Sequence, residues 1–592
     1  MSQSSNFRIQ RDLKELLTAE WDDMPPIMAT PLNDRLHHIA ALVMGPPNTP
    51  YHSGFFTFDL KFTAGYPNEP PTVRILSTSD GRVRLNPNLY ADGKVCLSVL
   101  GTFRGETSEV WRSSYSIRYI LQAIQSMVLN EEPYHNEPGF EKERLNKGVV
   151  LLLPPNHPGF NDSAAKEEEV PESTETTPVA PEATPEVSGE KPSEGGETAK
   201  VPVPPPKAVK KRLTLSGEQL RTESHHYQQK IAHDSIRVSV CDVLECLLGI
   251  APPPLEVPAP PTFSDQNERQ SMSPNLTMGE EEPGMEAHGA SKEQQPLDNI
   301  VSPSTTPTTT SPNLQSLEFA QAAQQSQQVT PAMAPSANHI ARLNFIASTR
   351  VDCFASEIKR QFMMRYQSYI DFCKKDEYLA LDGQPFKRAM FEFSNNTCDG
   401  FFKWRWLLQR LERIHKALRA ETDAWGLQGR ELTGRRSYAS CDLMDEGTRL
   451  AVEVPGVTGG PLSSDNAYVW QISIMSPEGL YEEGFYTVDV TFSPDQEQPP
   501  RCRFVQPIWH PNISPEGVPY YSLWDDRTVP PERRFGPMFL AQSLKKLLTS
   551  KPVQYPTAIL NDEAAEECFS QDESKVKTFK TKARRLARRT VD

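Results

Sequence analysis

Two stretches of this chain share one pattern, and that repeat constrains the possible fold more than any other feature. In the first, His38-Ile-Ala-Ala-Leu-Val-Met44 and Phe55-Phe-Thr-Phe-Asp-Leu-Lys-Phe62 alternate apolar and polar residues at the period of a strand, with Gly, Pro and Asn between them. In the second, Tyr468 through Phe492 does the same, and Pro499-Pro500 followed by Arg503-Phe504 repeats Pro70-Pro71 and its strand. Each block reads as an antiparallel meander. Ser116 to Met127 adds a helix with Ile117, Ile120, Leu121, Ile124 and Met127 on one buried stripe. Residues 5–17 form another, with Phe7, Leu13, Leu16 and Leu17 on one side and Arg8, Arg11 and Lys14 on the other. The expected class is α+β: two copies of a four-stranded antiparallel meander with flanking helices.

A chain of 592 residues with 54 prolines is too long and too proline-rich for one compact fold. Residues 161–216 and 251–340 are dominated by Pro, Ser, Thr, Glu and Gln. They cannot bury enough apolar surface to offset chain entropy, so they read as a disordered linker and a disordered insert. Apolar periodicity returns in 217–250, through Ile231, Ile236, Val238 and Val240, and in 341–424, through Phe362 to Cys373 and Trp404 to Leu411. Together these predict one helical extension in two parts. Blocks 1–160 and 425–592 hold the two repeats, and the second ends in a basic stretch, Lys582 to Arg589, read as a terminal helix with a charged face.

A net charge of −15 argues against general nucleic-acid binding. Nine cysteines without a CxxC pair indicate neither zinc nor a disulfide framework, and His225, His226 and His233 lack further ligands at metal spacing. No metal and no cofactor are expected. Without an apolar run of about 18 residues or an apolar leader, no membrane association is expected, and the location reads as cytoplasmic or nuclear.

One loop carries chemistry. Asn86-Pro-Asn-Leu-Tyr-Ala-Asp-Gly-Lys-Val-Cys96-Leu97 is rich in turn residues and follows the first meander. Cys96 reads as a nucleophile, with Lys94 and the amides of the Gly93 turn as the cationic, partly exposed setting that a reactive thiol needs. Asn88 could donate its amide to an oxyanion. The alternative is that Cys96 is a small buried hydrophobe in a half-buried strand.

These residues resemble the active site of the ubiquitin-conjugating enzymes, whose signature is a His-Pro-Asn turn with the catalytic cysteine eight residues after the asparagine; Asn86-Pro87-Asn88 through Cys96 keeps that spacing. Arg8 to Leu16, Gly45 to Tyr51 with Gly54, and Tyr66-Pro67 through Pro70-Pro71 extend the likeness over most of residues 5–145. Gly93 to Thr102 and Asn130 to Glu141 are similar to the Z-type branch, whose helical extension residues 224–244 also resemble. The resemblance implies that Cys96 accepts ubiquitin or a ubiquitin-like modifier as a thioester from an ATP-dependent activating enzyme and passes it to a lysine of a protein substrate. It implies that Asn88 stabilises the oxyanion or holds the loop, and that Glu137, beside His135 and Asn136, is the acidic gate for the incoming lysine. Arg8, Arg11 and Lys14 would meet the activating enzyme.

Three departures stand out. Asn86 replaces the family histidine, Asn68 replaces an aromatic that many members offer to a ubiquitin ligase, and Trp111-Arg-Ser-Ser replaces Trp-Ser-Pro-Ala. In the second repeat the histidine is present, in His510-Pro511-Asn512, but Tyr520 stands eight residues on, so this block resembles the catalytically inactive variant of the fold. Cys502 lies upstream of that turn. A competing reading makes both blocks a non-catalytic ubiquitin-binding scaffold.

Overall fold

The computed structural model describes residues 3–18, 26–33, 35–102, 110–142, 149–153, 166–168, 210–254, 337–392, 400–476, 478–495, 498–520 and 535–591. Most of the expected linker and insert lies outside these residues.

Helix α1 (Gln3–Thr18) precedes strands β1 (Ile27–Leu32), β2 (Arg35–Met44), β3 (Phe55–Lys61) and β4 (Thr72–Ile75), which pair antiparallel in chain order. The β2–β3 register sets Ala41 opposite Phe58 and Val43 opposite Phe56. These side chains, with Ile39 and Leu60, meet Ile9, Leu13 and Leu16 of α1 and Ile117, Ile120 and Leu121 of α2 (Ile117–Ala123) in one core. Burying each such side chain contributes about 1.5–3 kcal/mol. The other face of the sheet is covered as well: Ala40, Leu42, Met44 and Phe55 belong to a separate core shared with the helices that follow. A sheet buried on both faces needs apolar residues at successive positions, which is why Ile39–Met44 is an unbroken apolar run in place of the expected alternation.

Two assignments on these helices are corrected. Phe7 is 65% exposed, because α1 turns Ser5, Ile9, Asp12 and Leu16 inward and leaves Phe7, Arg11 and Lys14 on one outer face. Met127 is 60% exposed, because α2 widens into a π-helical turn, Ile124–Val128, that shifts the phase and puts Val128 inward instead.

Strands β5 (Val149–Leu153), β6 (Lys166–Glu168) and β7 (Lys210–Leu215) form a small sheet in the order β5-β7-β6, so of two segments inside the expected linker one pairs with the apolar run that precedes it and the other pairs with the first. The extension then begins at α3 (Gly217–Ser235), whose Ser216 and Gln219 close a capping box, and passes through a π-helical turn into α4 (Asp242–Leu248). Helices α5 (Ala337–Thr349), α6 (Ala355–Cys373), α7 (Asp376–Leu379) and α8 (Trp404–Gly434) complete it. Arg410 of α8 is 2% exposed at its side chain and forks onto Glu245, through Nε at 2.8 Å and Nη2 at 2.6 Å. The same Nη2 donates to Asp242 at 2.6 Å. That ion cluster ties the two halves of the extension together.

The second repeat folds as expected. Helix α9 (Tyr438–Glu453) leads into β8 (Val457–Ser463), β9 (Asn466–Met475), β10 (Phe485–Thr491) and β11 (Arg501–Phe504), again antiparallel in chain order, followed by α10 (Pro537–Thr549), α11 (Asp562–Cys568) and α12 (Glu573–Arg588). The boundary expected near 424 falls inside α8, which runs on to pack against β9. There Gly429 has no room for a Cβ, which would lie 2.5 Å from that of Tyr468.

Helix α6 touches both repeats. Tyr369 donates to the Ser53 carbonyl at 2.7 Å, Phe372 stacks on His52 at 4.4 Å, and the buried Arg365 donates to the Thr557 carbonyl. Among the described residues no helix is long and apolar enough to cross a membrane.

Candidate active site

The loop between Asn86 and Thr102 is held by side chains that each do one job. Asn86 is fully buried. Its Nδ2 donates to the Tyr51 hydroxyl at 2.7 Å and to the Val128 carbonyl at 2.8 Å, while its Oδ1 accepts from the Asn88 amide at 2.8 Å. Tyr51 in turn donates to the Leu85 carbonyl at 2.9 Å. Asn88 closes the loop: its carbonyl accepts from the Cys96 amide at 2.8 Å, and its Nδ2 donates to the Cys96 carbonyl at 2.7 Å. The amide expected to face an oxyanion is therefore spent, in this state, on fixing the cysteine backbone.

Cys96 does not belong to the hydrophobic cluster that its neighbours Val95 and Leu97 join. It is nevertheless only 7% exposed, less open than a reactive thiol was expected to be. Its Sγ donates to the Thr102 carbonyl at 2.9 Å. Burial pushes the thiol pKa up, with Glu137 adding to the rise, against the opposing charges of Lys94 and Arg84. Lys94 thus acts as expected, but desolvation outweighs it.

Around the thiol, Arg84 is buried and donates to the Pro87 carbonyl at 2.7 Å. It reaches Glu137 at 3.5 Å and lies over the Tyr90 ring at 4.4 Å. Glu137 keeps a quarter of its side chain exposed, and its carboxyl is raised mainly by burial, with Arg84 opposing. Of its neighbours, His135 is engaged with the Phe140 carbonyl at 2.7 Å, and Asn136 accepts from Asn130 at 2.8 Å and leans on Asn86 at 3.4 Å. Glu137 is the member of that trio whose charge reaches Cys96. The extension contributes to this wall: Phe391 packs on Tyr134 at 5.1 Å, and Glu223 of α3 accepts from the Tyr134 hydroxyl at 2.8 Å.

The basic face of α1 is smaller than expected. Arg11 and Lys14 are exposed, but Arg8 is bound to Asp12 at 2.7 Å and to the carbonyls of Ser113 and Tyr115 at 2.6 Å each, which withdraws it from the surface. Trp111 donates to the Pro67 carbonyl at 2.8 Å and packs against Tyr115. Sequence reasoning missed Tyr51, Arg84 and Thr102. None of them carries a local signal, since each acts on an atom brought close only by the loop.

The second repeat reproduces this loop with different chemistry. The Tyr520 amide donates to the Asn512 carbonyl at 2.8 Å, as Cys96 does to Asn88. The Asn512 amide donates to His510 Nδ1 at 2.9 Å, the same bond that Asn86 accepts from Asn88. Asparagine therefore does at 86 what histidine does at 510. Tyr481 matches Tyr51 in donating to the residue before the turn, here the Trp509 carbonyl at 2.8 Å. His510 stacks on Tyr481 at 5.2 Å, and burial drops its pKa to about 3, so it stays neutral. The contrast lies in the second asparagine. Asn512 Nδ2 donates to Val553 and Ala558 carbonyls at 2.8 and 2.9 Å, away from residue 520. With a phenol in place of a thiol and its amide committed elsewhere, this loop has no acyl acceptor. Cys502 sits on β11, buried in the core.

Comparison with known proteins follows the same division. The family model described as ubiquitin-conjugating enzyme matches residues 8–147 and, separately, 443–586. "Ubiquitin-conjugating enzyme E2 Z" of Danio rerio is 44% identical over 144 residues, 24% of this chain and 42% of that protein. "Probable ubiquitin-conjugating enzyme protein 17" of Caenorhabditis elegans is 48% identical over 108 residues, 18% of this chain and 15% of its own length. The human "Dual E2 ubiquitin-conjugating enzyme/E3 ubiquitin-protein ligase BIRC6" is 46% identical over 112 residues, 19% of this chain and 2% of that protein. The matched region spans less than half the length of each of these relatives. Two segments of the chain, 8–147 and 443–586, thus match the ubiquitin-conjugating enzyme family, the first with a cysteine in its loop and the second with Tyr520 at the corresponding place.

Proposed function

We propose that the first domain accepts ubiquitin or a ubiquitin-like modifier on Cys96 and transfers it to a lysine amine. The observation that carries this reading is the position of Cys96, outside the hydrophobic cluster that Val95 and Leu97 join, on a loop held by Asn86 and Asn88. In the loading step the Cys96 thiol loses its proton and the sulfur attacks the carbonyl carbon of the modifier held as a thioester on the activating enzyme. That enzyme's sulfur leaves as a thiolate and takes up a proton. In the second step a neutral lysine amine attacks the new thioester, an amide bond forms, and Cys96 is regenerated as a thiol. Glu137, partly exposed and electrostatically coupled to Cys96, orients and desolvates the amine. Arg11 and Lys14, with Phe7 on the same face, meet the activating enzyme, and a ligase is a further partner.

The second domain is a structural partner of the extension. Arg365 of α6 is buried against Thr557 and is electrostatically coupled to Tyr520, which places this helix beside the loop lacking a thiol.

Incubating the full chain with activating enzyme, ATP and ubiquitin tests the reading: an adduct removed by reducing agent is expected, and its absence would leave the chain as a ubiquitin-binding scaffold. Asn88→Ala should slow transfer to lysine about 10²-fold, the scale of one lost oxyanion donor, while loading falls much less. Equal losses in both steps would make Asn88 a brace only.

A further inference from the structure

Among the described residues the one that hydrogen-bonds the Cys96 sulfur is Thr102, and nothing in the family signature assigns it a part. Its carbonyl accepts the Cys96 thiol proton at 2.9 Å. Its hydroxyl ties the same short loop at both ends, donating to the Val95 carbonyl at 2.8 Å, lying 3.2 Å from the Leu97 carbonyl and accepting from the Leu97 amide at 2.9 Å. The Thr102 amide adds a bond to the Leu97 carbonyl at 3.2 Å. Between these points run the 3₁₀ turn Ser98–Leu100 and Gly101, whose φ of 68° is the left-handed conformation that lets the chain double back. A six-residue return thus places a carbonyl, an acceptor without a donor, on the sulfur. Such an acceptor stabilises S–H and repels S⁻.

We propose that Thr102 is a positioning residue for the thiol: its hydroxyl staples the 95–102 loop so that its own carbonyl holds Cys96 as a hydrogen-bonded, protonated thiol until the acyl donor docks. This rests on the reading of Cys96 as the acyl acceptor. It gives that site a resting state in which the thiol is covered and poorly nucleophilic, and in which loading requires the loop to release the sulfur. Among the described residues the charged groups facing the sulfur are Lys94 on the loop itself, Arg84 on the segment before the turn and Glu137 on the segment after the π-helical turn. None of them is altered by changing residue 102.

The test uses the full chain and the pH dependence of Cys96 alkylation by iodoacetamide, read by mass spectrometry of the Cys96 peptide. Thr102→Val keeps the shape and removes the hydroxyl; Thr102→Ser keeps the hydroxyl. The valine variant should lower the midpoint of the alkylation profile by about half to one pH unit, the worth of one hydrogen bond to the thiol form. At pH 7 that is roughly a three- to tenfold faster reaction. Serine should restore the original midpoint. Mere loosening would raise the plateau rate and leave the midpoint in place, and that result would overturn the proposal, as would a serine variant that behaves like valine. Should the valine variant not fold, the unaltered protein decides: the infrared S–H stretch lost on Cys96→Ser should lie below the frequency of a free thiol, and a band at the free-thiol position refutes the bond. Neither readout involves an activating enzyme, so a failure to load ubiquitin and a failure of the Thr102 contact are separate results.

Discussion

With Cys96→Ala, the full chain should form no thiol-labile adduct with ubiquitin in the presence of activating enzyme and ATP, a complete loss rather than a fractional one. Cys96→Ser should give a slower adduct that survives thiol and is cleaved by base, because an oxyester forms less readily and is not exchanged by thiols. Loading by the unaltered protein should rise with pH, since burial favours the neutral thiol and the reactive thiolate accumulates only as the raised pKa is approached. The other thiols make this a specific expectation. Cys241 and Cys246 are pushed up by burial to about 12 and about 11, and burial also raises Cys373 well above the ordinary thiol value. An adduct that persists in the alanine variant, or maps to Cys241 or Cys246, would move the nucleophile elsewhere. If Cys96 were only packing, alanine would cost a little stability and change no adduct.

The largest stability effect is expected at Arg410. Removing this guanidinium by Arg410→Ala strands Glu245, 6% exposed at its side chain, whereas Asp242 keeps Arg237 at 3.8 Å. Breaking a buried pair from one side costs about 3–5 kcal/mol, because the remaining charge stays desolvated. The loss should appear as a lower denaturant midpoint and faster amide exchange in α4 and α8. Replacing Arg410 and Glu245 together with apolar residues of similar volume should recover much of it, since the desolvation penalty then disappears. A single alanine variant within 1 kcal/mol of the parent, measured the same way, would show that water reaches these carboxylates.

The class of fold, the repeat and the position of the candidate nucleophile were legible from the chain alone. Each depends on short-range pattern: the two-residue alternation of Phe55–Phe62 and Tyr468–Phe492, and an eight-residue interval that returns Cys96 and Tyr520 to the carbonyls of Asn88 and Asn512. That asparagine can stand in for histidine here was settled by the structure, where one oxygen acceptor replaces one nitrogen acceptor for the same amide. Phase was harder. A single π-helical turn moved Met127 outward and Val128 inward, and no residue in α2 announces it.

What only the tertiary structure decided are the roles set by long-range contact. Arg8 and Arg410 read alike as charges on amphipathic helices, yet Arg8 is turned back onto two carbonyls about a hundred positions away in sequence and Arg410 is buried on carboxylates of α4. Asn512 holds the same place in its turn as Asn88, but the carbonyls of Val553 and Ala558 capture its amide. Thr102 lies on the sulfur because its carbonyl comes back across a left-handed glycine. Periodicity records which side of an element faces apolar neighbours; it does not record which distant carbonyl or carboxylate will satisfy a polar group, because that partner is brought near only when the elements pack.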